Sequence, residues 1–139
     1  MKHIYTLICN DILTDKESGS TTYYKAIDQI MTNGIPVALP SLAVGSYWEL
    51  VPDQKKVFSV RIKIIPPGNG QTREAIISKV PKTNSRHRVN VRFMNVVFAV
   101  EGNYTIIIET SENNEKTWKA HNEIILPLTL TKNEDELEH

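Results

Sequence analysis

The chain has 139 residues, of which 40% are hydrophobic and 23% charged, so its composition is that of an ordinary globular protein with the length of one domain. Its 16 basic and 16 acidic residues cancel, so no long-range field draws in nucleic acid or an anionic membrane, and neither is expected as a partner. Zero net charge also removes colloidal repulsion near neutral pH, which favours association into a homo-oligomer.

The sequence predicts one soluble domain in a reducing compartment. Cys9 is the single cysteine, so no intramolecular disulfide can form, and this favours a cytoplasmic location. The apolar run at the start is too short for a signal peptide, and no stretch approaches the ~20 residues of a membrane helix. We expect one domain over residues 1–133 and a flexible tail over 134–139, in which Leu137–His139 resembles the start of a purification tag.

The first third of the chain predicts strands around one ambiguous segment. The segments 3–9 and 42–51 are apolar on both faces, which is typical of central strands, and residues 15–20 read as a hairpin turn. Residues 22–32 fit two patterns. Their apolar residues have helical spacing, but several of them are strand formers, so the pattern leaves a short helix and a strand equally open. The residues at helical spacing are Tyr23, Ala26, Ile27, Ile30 and Met31.

The middle of the chain alternates with a period of two, as a half-buried strand requires. The clearest run is 58–64, which a Pro-Pro-Gly-Asn-Gly turn at 66–70 ends. The segments 72–80 and 89–93 follow and are predicted to pair with each other. The apolar positions of the first run are Phe58, Val60, Ile62 and Ile64.

The last third predicts a hairpin. Residues 104–108 alternate, the polar run 111–115 forms the loop, and residues 118–130 return as a strand. Pro127 has no amide donor, so this strand should lie at an edge there or carry a bulge. Short strands at this spacing predict an all-β fold, a two-sheet antiparallel β-sandwich of about eight strands.

Three stretches resemble an uncharacterised bacterial family that is known only as a domain of unknown function. They are Leu7–Asp11, then Lys25–Ile30 with Ile35–Leu42, and the Gly-x-Tyr strand start in Glu101–Ile108. The resemblance implies an immunoglobulin-like β-sandwich and favours a strand over residues 23–31. It implies no known activity and no catalytic residues.

The residues that could carry chemistry have simpler structural interpretations. His3, His87 and His121 lack metal-ligand spacing, so neither a metal site nor a cofactor is expected. Cys9 lies in an apolar strand, where a buried thiol is a small hydrophobic group rather than a nucleophile. Asp11 and Asp28 are the first carboxylates to test as an acid–base pair, but turn and surface positions are favoured for both. No catalytic residue is predicted.

A basic stretch and an aromatic pair remain as candidates for binding. The stretch spans residues 79–92 without an acidic residue, and a solvated sheet face is its simpler interpretation. Trp48 with Tyr47 could stack on a sugar, whereas a buried tryptophan is more usual in a sandwich. The candidate contacts with a ligand or partner are Lys79, Arg86, Arg88 and Arg92.

The sequence therefore favours a non-enzymatic module that binds another protein or a second copy of itself. The alternative is a domain that binds a carbohydrate or a small anion. A third hypothesis, a hydrolase, requires Cys9 or the pair of Asp11 and Asp28 to meet a histidine in a pocket.

Overall fold

A computed structural model describes residues 1–51 and 56–131 of the chain. These residues form nine strands and no helix, so none of them belongs to a helix long and apolar enough to cross a membrane. The predicted tail at 134–139 lies outside the described residues. The strands are β1 (Lys2–Thr14), β2 (Thr21–Ala26), β3 (Ile30–Thr32), β4 (Val37–Glu49), β5 (Val57–Ile65), β6 (Arg73–Pro81), β7 (Arg86–Phe98), β8 (Gly102–Ser111) and β9 (Lys119–Leu130).

The strands form two sheets that face each other. Sheet 1 has the order β2-β1-β4-β7 and sheet 2 the order β3-β9-β8-β5-β6. Neighbouring strands are antiparallel except β3 and β9, which run parallel. The predicted all-β sandwich is confirmed, with nine strands instead of about eight. The prediction that the apolar segments 3–9 and 42–51 form central strands is also confirmed, since β1 and β4 lie in the middle of sheet 1.

The core lies between the sheets and consists of every second residue of the long strands. In β5, Phe58, Val60 and Ile62 are buried, while Arg61 and Lys63 point to the outer face. Full burial of such an apolar side chain contributes about 1.5–3 kcal/mol. The same alternation buries Val89, Val91 and Phe93 of β7 and Tyr104, Ile106 and Ile108 of β8.

The ambiguous segment 22–32 forms two short strands, so the helix alternative is wrong. β2 pairs with β1 in sheet 1, whereas β3 pairs with β9 in sheet 2. The chain therefore crosses from one sheet to the other within this segment, and Ile30 enters the core. β2 gains ladder hydrogen bonds from β1, whereas β3 gains ladder hydrogen bonds from the distant β9 and buries Ile30. These gains outweigh the local helical spacing.

The predicted pairing of the strands at 72–80 and 89–93 is wrong. β6 pairs with β5 in sheet 2, and β7 pairs with β4 in sheet 1, so the two strands lie at the edges of different sheets. β5 and β6 form a hairpin through the loop at residues 66–72, and β6 lies at the edge of sheet 2. The connection between β6 and β7 then crosses to the other sheet.

The part of the β1–β2 hairpin beyond Cys9 no longer pairs with β4 and folds over the outer face of sheet 1. Cys9, Ile12 and Ala43 form a small second cluster, and Tyr23 of β2 covers it. Arg92 of β7 donates to the Asp11 carboxylate and to the Ile12 carbonyl, with a distance of 3.4 Å to the carbonyl oxygen. Sheet 1 is therefore partly covered on its outer side by its own first hairpin.

The expectation for Pro127 is confirmed. β3 pairs with β9 only at Leu128–Leu130, so none of the described strands pairs with β9 at Pro127 on the side away from β8. The missing amide of the proline therefore costs no ladder hydrogen bond.

Candidate functional site

The outer face of sheet 1 brings together aromatic and basic side chains from four strands. Tyr5 of β1, Tyr47 of β4 and Arg88 of β7 lie in one row, because they are paired across the sheet. Tyr23 reaches the same place from β2 through the hairpin that covers the sheet. We call these four residues the Tyr–Arg face.

Ring contacts and hydrogen bonds hold the Tyr–Arg face together. The Arg88 guanidinium carbon lies 4.6 Å from the centroid of the Tyr47 ring. The ring centroids of Tyr5 and Tyr47 are 5.2 Å apart, and the hydroxyls of Tyr5 and Tyr23 are 3.1 Å apart. The tyrosines are half-buried, while Arg88 is exposed. A cation over a tyrosine ring is worth about 0.5–1 kcal/mol at an exposed site, so the guanidinium has a preferred position.

The surroundings of Tyr23 and Arg88 raise the pKa of both groups. Burial, and then the hydrogen bond with Tyr5, raise the pKa of Tyr23 to about 12. A hydrogen bond with the Tyr5 hydroxyl is the main cause that raises the pKa of Arg88. Tyr23 is therefore a neutral phenol near neutral pH, and Arg88 carries a full positive charge. Among the described residues, no carboxylate pairs with Arg88.

The two flanking arginines are engaged by carboxylates. Arg86 lies 3.9 Å from the Glu49 carboxylate. Arg92 forms an ion pair with Asp11, and this hydrogen bond is the main cause that lowers the pKa of Asp11. Both arginines thus lie next to an opposite charge, which weakens the positive field that binding to phosphates would need.

Lys79 does not belong to this face. It lies in β6 of sheet 2, where its backbone has the left-handed φ of 54° and its amide donates to the Ser59 hydroxyl at 3.3 Å. Of the four residues predicted as contacts, the structure therefore brings Arg86, Arg88 and Arg92 onto one strand and places Lys79 on the other sheet.

Trp48 lies in the core, so the hypothesis that it stacks on a sugar is wrong. It is 0% exposed, and its indole N–H donates to the Ser46 hydroxyl at 2.8 Å. The rings of His3 and His121 pack edge-on against it, with centroid distances of 5.0 and 4.9 Å. His87 packs in the same way against Phe58 at 6.4 Å. The sequence interpretation of Trp48 as a buried sandwich tryptophan is confirmed.

The groups of the hydrolase hypothesis do not converge. The Cys9 thiol is buried and directs its sulfur toward the backbone carbonyl of Asp11 at 3.2 Å. Burial raises the pKa of Cys9, which keeps it a thiol at neutral pH. Asp11 pairs with Arg92, and Asp28 is exposed on the link between β2 and β3. Across residues 1–51 and 56–131, no three His, Cys, Asp or Glu side chains are grouped so that they could hold a metal ion.

The histidines at Trp48 predict a loss of stability in mild acid. Burial is the main cause that lowers the pKa of both His3 and His121, and the charge of Lys119 lowers the pKa of His121 further. The unfolded chain, with a histidine pKa of about 6.5, therefore binds protons that the fold rejects. We expect full stability above this value and a falling melting temperature as the pH drops below it.

Melting curves between pH 7.5 and pH 5 check this expectation. The double variant His3→Gln, His121→Gln keeps a polar partner for Thr6 and Thr110, which the two imidazoles contact in the native protein. It should flatten the dependence of melting temperature on pH in this range. An equally steep dependence in the double variant would contradict the assignment to these two histidines.

Sequence reasoning missed Tyr5 and Tyr23 as members of the site. The signal was weak, since both lie in strand patterns that core packing explains equally well. Only the pairing of β1 with β4 and the position of the first hairpin place them beside Arg88.

Among curated proteins, no significant sequence match to the chain is found. A family of unknown function (DUF6941) matches residues 4–121, which include the Tyr–Arg face, all of β4 and most of β1. The resemblance to an uncharacterised domain family is thereby confirmed. The chain belongs to this family of unknown function, DUF6941.

Proposed function

We propose that the protein is a non-catalytic module that binds another protein through the Tyr–Arg face. The observation that carries the proposal is the state of Arg88, an exposed guanidinium that lies over Tyr47 without a carboxylate partner among the described residues. Tyrosine and arginine are enriched at the energetic centres of protein interfaces. We expect the partner to pair a carboxylate with the positive charge of Arg88.

Pre-organisation supports the proposal. The hydroxyl contact between Tyr5 and Tyr23 and the tilted ring contact between Tyr5 and Tyr47 limit the rotamers of these side chains before a partner arrives. Ordering a long side chain at an interface costs about 0.5–1.5 kcal/mol, and this cost is smaller for side chains already in place. The ion pairs of Arg86 and Arg92 flank the face with polar groups, as in the rim of an interface.

A non-catalytic role is supported by how the reactive side chains are used. The Cys9 thiol is buried against backbone carbonyls, and His3 and His121 pack against Trp48 with their Nε2 atoms on threonine hydroxyls. The free thiol also supports a cytoplasmic location, as part of the same proposal.

We also propose that the sandwich is immunoglobulin-like. The order β9-β8-β5-β6 corresponds to strands G, F, C and C′ of that fold, and β1-β4-β7 corresponds to A, B and E. Tyr104 at the start of β8 donates its hydroxyl to the Val100 carbonyl at 2.8 Å. This is the position of the tyrosine corner near the start of strand F.

The native protein and matched variants are each immobilised and exposed to a native lysate. The interactor that the native protein captures is then purified, and its binding to each variant is measured. Arg88→Lys keeps the charge but loses the flat guanidinium that lies over Tyr47, and Lys79→Ala on the other sheet is the control. We expect Arg88→Lys to weaken binding of the purified interactor about tenfold or more, whereas Lys79→Ala binds like the native protein. Equal binding by the native protein and Arg88→Lys would refute the proposal.

Two further measurements identify the kind of partner. Sedimentation at micromolar concentration decides whether the partner is a second copy of the chain. Only a self-association that Arg88→Lys weakens would support a homo-oligomer formed through the Tyr–Arg face. Since Arg88 is exposed and has no carboxylate partner within residues 1–51 and 56–131, a small anion is the second candidate. Titration with sulfate distinguishes it, since a small-anion site should bind sulfate without any protein partner and lose it in Arg88→Gln.

A further inference from the structure

A cleft of about 760 Å³ lies at one end of the sandwich, away from the Tyr–Arg face. The turn after β5 forms one wall, and the end of β7 with its connection to β8 forms the other. Its volume falls within the roughly 300–1,000 Å³ typical of small-molecule sites. Much of the lining is apolar and comes from Ile64, Pro66, Pro67, Val97, Phe98 and Val100.

Contacts behind the walls hold the cleft open. The Tyr104 hydroxyl donates to the Val100 carbonyl at 2.8 Å and accepts from the Val100 amide at 3.3 Å. The rings of Phe98 and Tyr104 meet edge to face at 4.8 Å. Gly102 has a φ of 136°, and a Cβ there would lie 3.1 Å from Pro67. The two walls are thus packed against each other at their base, and a ligand would find the cleft already formed.

Arg73 and Glu101 line opposite walls of the cleft, so one wall carries a positive charge and the other a negative charge. The Arg73 guanidinium donates to the carbonyls of Met94 at 2.7 Å and Asn95 at 3.2 Å. These bonds use two of the five N–H donors of an arginine, and no carboxylate among the described residues pairs with Arg73. Glu101 lies in the connection between β7 and β8, where its carboxylate accepts from the Leu130 amide at 2.7 Å.

We propose that this cleft binds a small organic acid, an apolar body that carries one carboxylate. The apolar body lies against the prolines, valines and Phe98, and the carboxylate accepts hydrogen bonds from Arg73. Because the two carbonyls fix the guanidinium, it can meet a planar carboxylate without losing further rotamer freedom. The charge of Glu101 repels the carboxylate and so orients the ligand with its acid group toward Arg73.

The test compares an acid with its uncharged analogue, with 4-phenylbutyrate and 4-phenylbutanol as probes. Backbone amide shifts of the cleft residues report the binding of each probe. We expect the acid to bind at least tenfold more tightly than the alcohol. Arg73→Gln should abolish most of this difference while alcohol binding persists, which shows that the cleft is still folded. Lys16→Gln, in the exposed turn between β1 and β2, is the control and should change neither affinity.

Several outcomes would overturn the proposal. They are equal binding of acid and alcohol, a preference for the acid that survives Arg73→Gln, and no shifts at the cleft with either probe. Tighter binding of a short apolar peptide with an amidated carboxyl terminus than of the acid would also overturn it, because such a result would identify the cleft as a site for protein segments.

Discussion

Replacing Trp48 with alanine is expected to lower the free energy of unfolding by about 3–5 kcal/mol, the usual cost of removing a buried tryptophan. The indole is 0% exposed and contacts the rings of His3, His121 and Phe58. Its removal leaves a cavity between the sheets, and the Ser46 hydroxyl loses the hydrogen bond that the indole N–H donates to it. A loss of this size is a large part of the about 5–15 kcal/mol that stabilises a typical domain.

Urea unfolding of matched variants measures the effect. Trp48→Phe keeps an aromatic ring in the core and should lose less than the alanine variant, so it remains measurable if Trp48→Ala does not fold. Trp118 is the control, because it lies half-buried on the outer face of sheet 2 with the Arg61 guanidinium 4.4 Å from its ring. Trp118→Ala should cost about 1 kcal/mol or less. Similar losses at the two tryptophans would contradict the packing described for Trp48.

Gly45→Val is expected to destabilise the fold by about 1–3 kcal/mol through overpacking. A Cβ at Gly45 would lie 2.6 Å from the Tyr23 ring and 3.1 Å from the Ile12 side chain. The valine must push the first hairpin away from sheet 1, which also moves the Tyr23 hydroxyl from its place beside Tyr5 and Arg88. Binding through the Tyr–Arg face should therefore weaken together with stability.

A control and a double variant separate this cause from a general effect of valine. Gly34 has open space around it, so Gly34→Val should change stability by no more than about 0.5 kcal/mol. Gly45→Val should cost less in a Tyr23→Ala background than alone, because the clashing ring is then absent. If Gly45→Val proves as stable as Gly34→Val, the hairpin does not rest on Gly45 as described.

The strands themselves could be predicted from the sequence because burial of one face of a strand requires apolar and polar residues to alternate locally. Phe58, Val60 and Ile62 alternate with polar residues, and the turn at 66–70 marks where β5 ends. Central β1 and β4 were recognisable by apolar residues on both faces, and part of the outer face of β1 is indeed covered by Tyr23. Local pattern therefore predicted the class of the fold.

Pairing could be predicted for the hairpin of β8 and β9, but not for strands that join different sheets. The turn chemistry between β6 and β7 resembles that of a hairpin, but Arg88 and Lys79 belong to different sheets. No local pattern records which sheet a strand joins, since either sheet buries the same apolar positions. For the same reason the sequence located Arg88 but not Tyr5 and Tyr23, whose place beside it depends on long-range register.

The parallel pair of β3 and β9 has a consequence for how the protein forms during synthesis. Ile30 is paired with Leu128, so β3 has no partner in its sheet until β9 has left the ribosome. Pairings this distant along the chain form slowly, and an unpaired strand edge is open to wrong association until then. Until then the nascent chain carries Ile30–Thr32 as an unpaired segment, and sheet 2 gains its parallel pair only after β9 has been made.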